Sequence, residues 1–562
     1  MPSRTPTTSS RLLALLGAAL VAAPALAGGG PENLIMVVDP ANADALHAAN
    51  YYRHARNIPA RNALYIEPGA DTYADFATAN IPALLGSLQQ RSLDDHIDHV
   101  LVMPSDEYRI DAAGLVSDSC SPISRFGLGG CYTSAFIADE ILAGGLRHNE
   151  TNRYYGLFTT DIPAFDSNTT YLSGAPSTST FARRYFIGSM LGYTANAEGN
   201  TIEELLDMID RAVAADGTHP DGTFYYMNNT ADAARNVRSN QWNPAVAALA
   251  AEGFDAEVLS GVLPTGRHDA LGVMSGFAYD NIVNADFTLM PGAFCDHLTS
   301  WAATFDDSSQ AKVSEWIRKG AVGSVGSTQE PCNYPGKFPR AQIQLGYALG
   351  MPLAEAAFRS LLFFPFQPVI YGDPLARPFA HIPQVTVPDA PTGAVSGPLT
   401  LTPQATTTHP EATIDSFELL IDGVSIDTIT PGQSFHVNTP LLDEGSHDIR
   451  VLAYDSTSIR TVGHWVDRIE VDNTPHGATL SVDTTSGNLV HPFEFTLAGT
   501  GAPIRELRLW HNGRVVAAGT TTAPLIVHGQ MLGAGPALVE GQVEFTDGTI
   551  AWTPPLQLDI DP

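Results

Sequence analysis

From residue 33 to about 381, short apolar runs alternate with amphipathic stretches of helical length. "NLIMVV" (33–38) precedes "ADALHAANYYRHAR" (43–56), and "ALYI" (63–66), the helical "IPALLGSLQQR" and "HVLVM" (99–103) follow. Strands covered on both faces read as unbroken apolar runs, and helices between them supply the cover, so this pattern predicts a mainly parallel, doubly wound α/β sheet. The clearest helix is "GNTIEELLDMIDRAVAADG" (199–217). Thr201 and Glu204 stand at capping-box spacing, and Ile202, Leu205, Leu206, Ile209 and Val213 make one apolar face. Further strands are predicted at "TFYYM", "ALGVM" (270–274), "DFTLMPGAFC" (286–295) and "AVGSVG" (321–326), with a helix at "SSQAKVSEWIRKG" (308–320). "AEAAFRSLLFF" and "QPVIYGDP" complete the series.

Near residue 382 the period changes. Prolines 383, 388 and 391 mark a linker, after which short alternating segments are separated by turn residues. "FELLIDGVSIDTI" (417–429) and "LRLWHNGRVVAAG" (507–519) each read as strand, Asp-Gly or Asn-Gly turn, strand. The expected organisation is an α/β domain over 31–381 and two all-β immunoglobulin-like sandwich modules over 382–473 and 474–562. Modules of that kind usually bind, space or display.

The ends and the composition place this architecture. Arg4 and Arg11, the apolar run "LLALLGAALVAA" and the small-residue end Ala25-Leu26-Ala27 predict a signal peptide over 1–27, and hence export to the periplasm, cell surface or medium. That run is short of the ~20 residues a bilayer span needs, so no membrane span is expected after cleavage. "LQLDIDP" carries neither an apolar tail nor a basic stop, so no anchor is expected there. With 29 basic against 60 acidic residues and no basic run, nucleic acid is not an expected partner; components of the cell envelope or matrix are. The acidity is read as a solvated exterior, since no spaced Asp loop points to Ca²⁺.

Four cysteines in an exported chain predict two disulfides. Cys120 and Cys131 bracket the turn-rich "SPISRFGLGG", and Cys295 and Cys332 would leave neighbouring strand ends, so those are the expected pairs. In an open parallel sheet, ligands sit beyond the carboxyl ends of the strands. The residues predicted there are Ser105, Asp106 and Glu107, then Asp161, Ser275 and Gly276, Cys295, Asp296 and His297, and finally Glu330 and Cys332. One reading ties Cys295 to Cys332 and makes His297 a general base, with Asp296 or Glu330 holding its tautomer. Another leaves Cys295 free as a thiolate nucleophile. No cofactor motif is evident, and a divalent cation on His297 and carboxylates stays open as an alternative.

The stretches "ANYYRHARNIPARNALYI", "PGAFCDHLTS", "GSVGSTQEPCNYPGKFP" and "YGDPLARPF" resemble an uncharacterised family of exported bacterial proteins found in genomes with exosortase and PEP-CTERM sorting systems. The resemblance covers about residues 31–381 and implies a secreted or surface role. More distantly the chain is similar to gingipain and caspase-like cysteine peptidases, which implies their sheet and a hydrolase-like site, active or the remnant of one. Gly372-Asp373-Pro374 matches their pattern, but Ser275-Gly276 stands where they have His-Gly, which leaves Cys295 without its usual base.

Overall fold

In the computed structural model, which describes residues 29–118, 120–156 and 163–562, ten strands form one sheet. The predicted signal peptide and Asp161 lie outside the described residues. In chain order the strands are β1 (Leu34–Val38), β2 (Ala63–Tyr65), β3 (His99–Val102), β4 (Ile187–Met190), β5 (Thr223–Asn228), β6 (Asp255–Ser260), β7 (Arg267–Gly276), β8 (Phe287–Leu298), β9 (Gly323–Ser327) and β10 (Pro368–Gly372). Across the sheet they run β6-β5-β7-β8-β9-β10-β4-β3-β1-β2. Every neighbouring pair is parallel except β9 and β10. The mainly parallel sheet expected from the apolar runs is therefore present, but as two parallel halves of opposite direction. Carboxyl ends of β5 to β9 face one edge and those of β1 to β4 and β10 the other. The expectation of a single functional rim is thereby corrected: Ser105, Asp106 and Glu107, after β3, belong to the edge opposite that of Ser275, His297 and Glu330.

Helices α1 (Ala43–Arg56), α2 (Tyr73–Arg91), α3 (Ile202–Ala215) and α4 (Val313–Lys319) pack on this sheet. The capping box of α3 forms as expected: Thr201 accepts from the Glu204 amide, and Glu204 accepts from the Thr201 amide. Strand β8 runs three residues further than its apolar pattern suggests, because Asp296 and His297 find partners inside the protein.

The chain beyond Gln384 is β apart from single helical turns at Thr439–Leu441 and Gly529–Leu532. Its strands include β11 (Ile414–Ile421), β12 (Val424–Ile429), β13 (Glu444–Asp455), β14 (Val462–Val471), β15 (Ile504–His511), β16 (Arg514–Gly519), β17 (Gly535–Phe545) and β18 (Ile550–Trp552). Two separate apolar cores lie here, one around Phe417, Phe435 and Val451 and one around Phe495, Leu509 and Val543. Both predicted hairpins form, with left-handed backbone at Asp422-Gly423 and Asn512-Gly513, as their tight turns require. The two modules are joined by parallel pairing of Glu444 and Gly445 with Ala551 and Trp552, which makes one sheet continuous through both.

Helix α1 connects the parts. On its sheet side, Arg56 donates to Asp373 at the end of β10 (2.5 and 3.0 Å) and pairs with Asp216 at the end of α3, while the Tyr52 hydroxyl donates to Asp373 at 2.9 Å. Asp373 is completely buried and also caps the Leu375 amide. On its other side, Asn50 donates to the carbonyls of Leu532 and Ala534 at 2.9 and 3.0 Å, and Gly533 lies so close to Leu46 that a β-carbon there would collide. Arg450 of the first β module reaches back to buried Glu32 at 2.9 Å.

The expected disulfides are corrected. Cys120 bonds Cys332, with 6.3 Å between Cα atoms, and Cys131 and Cys295 are free and buried. Pairing by nearness in sequence fails because residues 123–127 form a strand and 128–133 a helical turn that carries Cys131 into the core. Cys295 lies within β8 and not beyond it, so its sulfur faces the interior while Cys332 leaves in a surface loop. Beside the bridge, Lys337 donates to Asp118 at 2.8 Å, both buried, and Gln329 accepts from the amides of Ser124 and Arg125. The disulfide fits assembly in an oxidising, extracytoplasmic compartment. Among the described residues no helix is long and apolar enough to cross a membrane.

Arg56→Met should lower unfolding free energy by about 3–5 kcal/mol in a denaturant titration, because it strands a buried carboxylate. Peptide mapping under non-reducing conditions should recover the Cys120–Cys332 pair. Thiol reagents should find no reactive sulfhydryl in the folded protein and two, Cys131 and Cys295, in denaturant.

Candidate functional site

The residues expected to carry chemistry are structural where the chain places them. Cys295 and His297 point to one face of β8, as their two-residue spacing requires. There they meet a small apolar cluster with Phe277 and Trp316. His297 is 1% exposed, stacks on Phe277 at 4.7 Å, accepts from the Trp316 indole N–H at Nδ1 (2.9 Å) and donates from Nε2 to the Ala311 carbonyl (3.1 Å). Both ring nitrogens are occupied, and burial lowers its pKa to about 3, so it is a neutral core group rather than an exposed base. Burial likewise pushes the Cys295 thiol well up, opposite to what a thiolate nucleophile needs.

Asp296 faces the other side of the strand and forms a fully buried ion pair with Arg238 at 2.5 Å. Arg238 in turn donates to the carbonyls of Ser275 and Pro339. Glu330 accepts from the Cys332 amide at 2.7 Å and so shapes the disulfide loop. Among the described residues no hydrogen bond or ion pair joins His297 to Asp296 or Glu330. The pocket expected around them is absent, because the strand continues through Asp296 and His297 and packs both inward. Nor do the described residues bring three or more His, Cys, Asp or Glu side chains together as a metal site. A cavity of about 620 Å³ does open between the segment that leads from β6 into β7 and the segment that leads into β8, among Ser260, Thr265, Asp280 and Asp286, but neither histidine nor cysteine lines it.

A second cavity, of about 500 Å³, lies where the α/β domain meets both β modules. Its floor is Pro59 to Arg61, from the "NIPARN" stretch between α1 and β2. The two hairpin turns close on that stretch from either side: Gly423 packs against Pro59 and Asn62, and Gly513 against Ala60 and Arg61. Their 90-residue repeat in sequence thus becomes a pincer in space.

Trp510 and Trp552 form one wall, with ring centroids 5.7 Å apart and planes tilted by 50°. Each indole N–H is tied down, Trp510 to Gln542 (3.3 Å) and Trp552 to Asp443 (3.0 Å), so the ring positions are set before anything binds. The acidic groups of the β modules are engaged: Asp422 with His447 (2.7 Å), Asp448 with Arg450 (2.7 Å) and Glu540 with Arg468 (2.9 Å). The opposite wall carries Arg53, Arg61 and Arg91 from the α/β domain. Fixed aromatic faces with a few polar groups, in a concavity where domains meet, are what a small-molecule or saccharide site consists of. Sequence reading passed over this site. The repeated hairpins were visible, but what they close upon was not.

No family model and no curated protein matches the chain. Some solved structures share local likeness over about a third of this chain. They include the fibronectin(III)-like modules of Clostridium thermocellum CbhA, with 10% identity over 32% of this chain and 95% of that one, at a TM-score of 0.14. Bacteroides ovatus SGBP-B from a mixed-linkage glucan utilization locus, solved with a mixed-linkage heptasaccharide, gives 9% identity over 31% and 47% at 0.18. Murine CEACAM1b gives 11% over 32% and 100% at 0.13. At these scores the likenesses carry no argument about this chain.

Stability should register the buried state of His297. Because its folded pKa of about 3 lies below the unfolded value near 6.5, its contribution is complete above pH 6.5 and is lost as pH falls from there toward 3, by about 1.4 kcal/mol per pH unit. Urea titrations between pH 7 and 5 should therefore show His297→Gln less acid-sensitive than wild type by roughly that slope. Equal slopes would mean that His297 titrates in the folded protein as it does in the unfolded chain.

Proposed function

We propose that this chain is an exported binding protein of the cell envelope or extracellular matrix, and that a saccharide seats in the cleft between the α/β domain and the two β modules. The observation that carries the reading is the Trp510–Trp552 pair, two indole faces fixed by their own hydrogen bonds at a cavity large enough for a short run of sugar rings. An indole face takes the C–H side of a pyranose ring, while nearby amide, carboxylate and guanidinium groups can meet its hydroxyls. Export draws on the signal-like N-terminus, the disulfide and the resemblance to exported proteins of exosortase-bearing bacteria.

The α/β domain then serves as a scaffold. Its distant similarity to gingipain and caspase-like sheets is proposed as kinship of shape. The hydrolase and cysteine-peptidase readings draw no support from His297 and Cys295, which are core residues. The motifs behind the resemblance have structural work: "ANYYRHAR" and "YGDPLARPF" supply the Arg56–Asp373 clamp, and "GSVGSTQEPCNYPGKFP" supplies the disulfide and Lys337.

Affinity electrophoresis of the full chain against neutral and acidic polysaccharides should show retardation by at least one polymer. Trp510→Ala combined with Trp552→Ala should weaken that binding by about tenfold or more, the loss of one or two good aromatic contacts, with circular dichroism unchanged. Undiminished binding by the double variant would put the ligand elsewhere, and no retardation by any polymer would overturn the proposal.

A further inference from the structure

The arginines on the α/β wall of the cleft face carboxylates across it but close on none of them. The chain carries about two acids for every base, so a guanidinium without a carboxylate is not explained by scarcity of acids. Yet among the described residues Arg53, Arg61 and Arg91 form no ion pair. The Arg53 Nε is buried without a hydrogen-bond partner. Arg61 donates only to the Arg91 carbonyl (3.1 Å), and Arg91 to the carbonyls of Arg61 and Ala63 (2.7 Å each) and weakly to Gly513 (3.5 Å).

These carbonyl contacts hold the two side chains in place without neutralising them. The environment resists the charge: burial lowers the pKa of all three, offset in part by Glu540 and Asp448 for Arg53 and by Asp422 and Asp443 for Arg61, while for Arg91 the neighbouring Arg61 lowers it further. Guanidinium groups that stay charged without a direct partner keep their hydrogen-bonding edges available to an anion. The acids across the cleft offset the charge only in part: Asp422, Asp448 and Glu540 are engaged by His447, Arg450 and Arg468, and Asp443 accepts from the Trp552 indole.

Resting on the saccharide reading of the same cleft, we infer that the ligand is an acidic glycan, whose uronate carboxylates meet the guanidinium wall of Arg53, Arg61 and Arg91 while its ring faces lie on Trp510 and Trp552. A planar guanidinium matches a carboxylate with two parallel hydrogen bonds, and the contact is strengthened where water is displaced. A neutral glycan could offer the Arg53 guanidinium only hydroxyl acceptors, weaker partners than a carboxylate. An acidic peptide could satisfy the arginines but has no regular ring faces for the two indoles.

The test uses the full chain and isothermal titration with polygalacturonate, alginate and hyaluronate, each beside its carboxyl-reduced form, and with poly-glutamate. At least one uronate polymer should bind about tenfold or more tighter than its reduced form, and raising salt from about 0.05 to about 0.5 M should weaken it. Arg53→Gln, at a side chain that makes no hydrogen bond among the described residues, should weaken uronate binding by about tenfold, and Arg61→Gln should do the same. The remote, exposed Arg147→Gln should have no effect. Equal affinity for acidic and reduced polymers, both lost in the double tryptophan variant, would overturn the acidic assignment and keep the saccharide reading. Binding of no polysaccharide would overturn both. Poly-glutamate binding as tight as that of the best uronate would replace the glycan by an acidic peptide.

Discussion

The buried contact of Arg56 with Asp373 and Asp216 is the constraint on which the rest of the molecule depends. It fastens α1 to the end of β10 and to the end of α3, three places far apart in the chain. Desolvating these charges is costly, and the cost is met only when all the partners are in place with Tyr52 completing the shell around Asp373. Such a contact stabilises little by its mere presence, but it rejects other positions of the helix. Because the remaining faces of α1 carry Leu46, Asn50 and Arg53, fixing the helix also fixes where the second β module docks and where the cleft opens.

The sheet explains why the expected catalytic rim does not form. A reversal of direction between β9 and β10 sends the two sets of carboxyl ends to opposite edges. On the one edge where Ser275, His297 and Glu330 do fall, β8 extends through its polar residues because each has an internal partner. Asp296 has Arg238, and His297 has Trp316 and the Ala311 carbonyl. A histidine among aromatic rings with both nitrogens engaged is a packing element, and its depressed pKa follows from the same burial.

The cleft has the opposite character. Its indoles are held by hydrogen bonds, while its α/β wall carries arginines that form no ion pair among the described residues. Three pieces of chain meet there because two hairpin turns of like geometry close on one short stretch, Pro59 to Asn62. The glycines of those turns are needed on two counts, for left-handed backbone and for the close approach.

Much of the architecture was legible in the residues themselves. The apolar runs of β1, β3 and β10, the capping box of α3 and the Asp-Gly and Asn-Gly turns follow from side-chain burial and backbone preference within a few positions, and all appear where the sequence puts them. What the sequence could not settle was every choice between distant partners. The direction of β10 beside β9, the pairing of Cys120 with Cys332, the inward course of His297 and the meeting of Arg53 with Trp510 and Trp552 all depend on which surfaces touch. Local patterns carry no information on that. Only the packed chain, in which burial must be matched by a partner for each polar group, selects one arrangement.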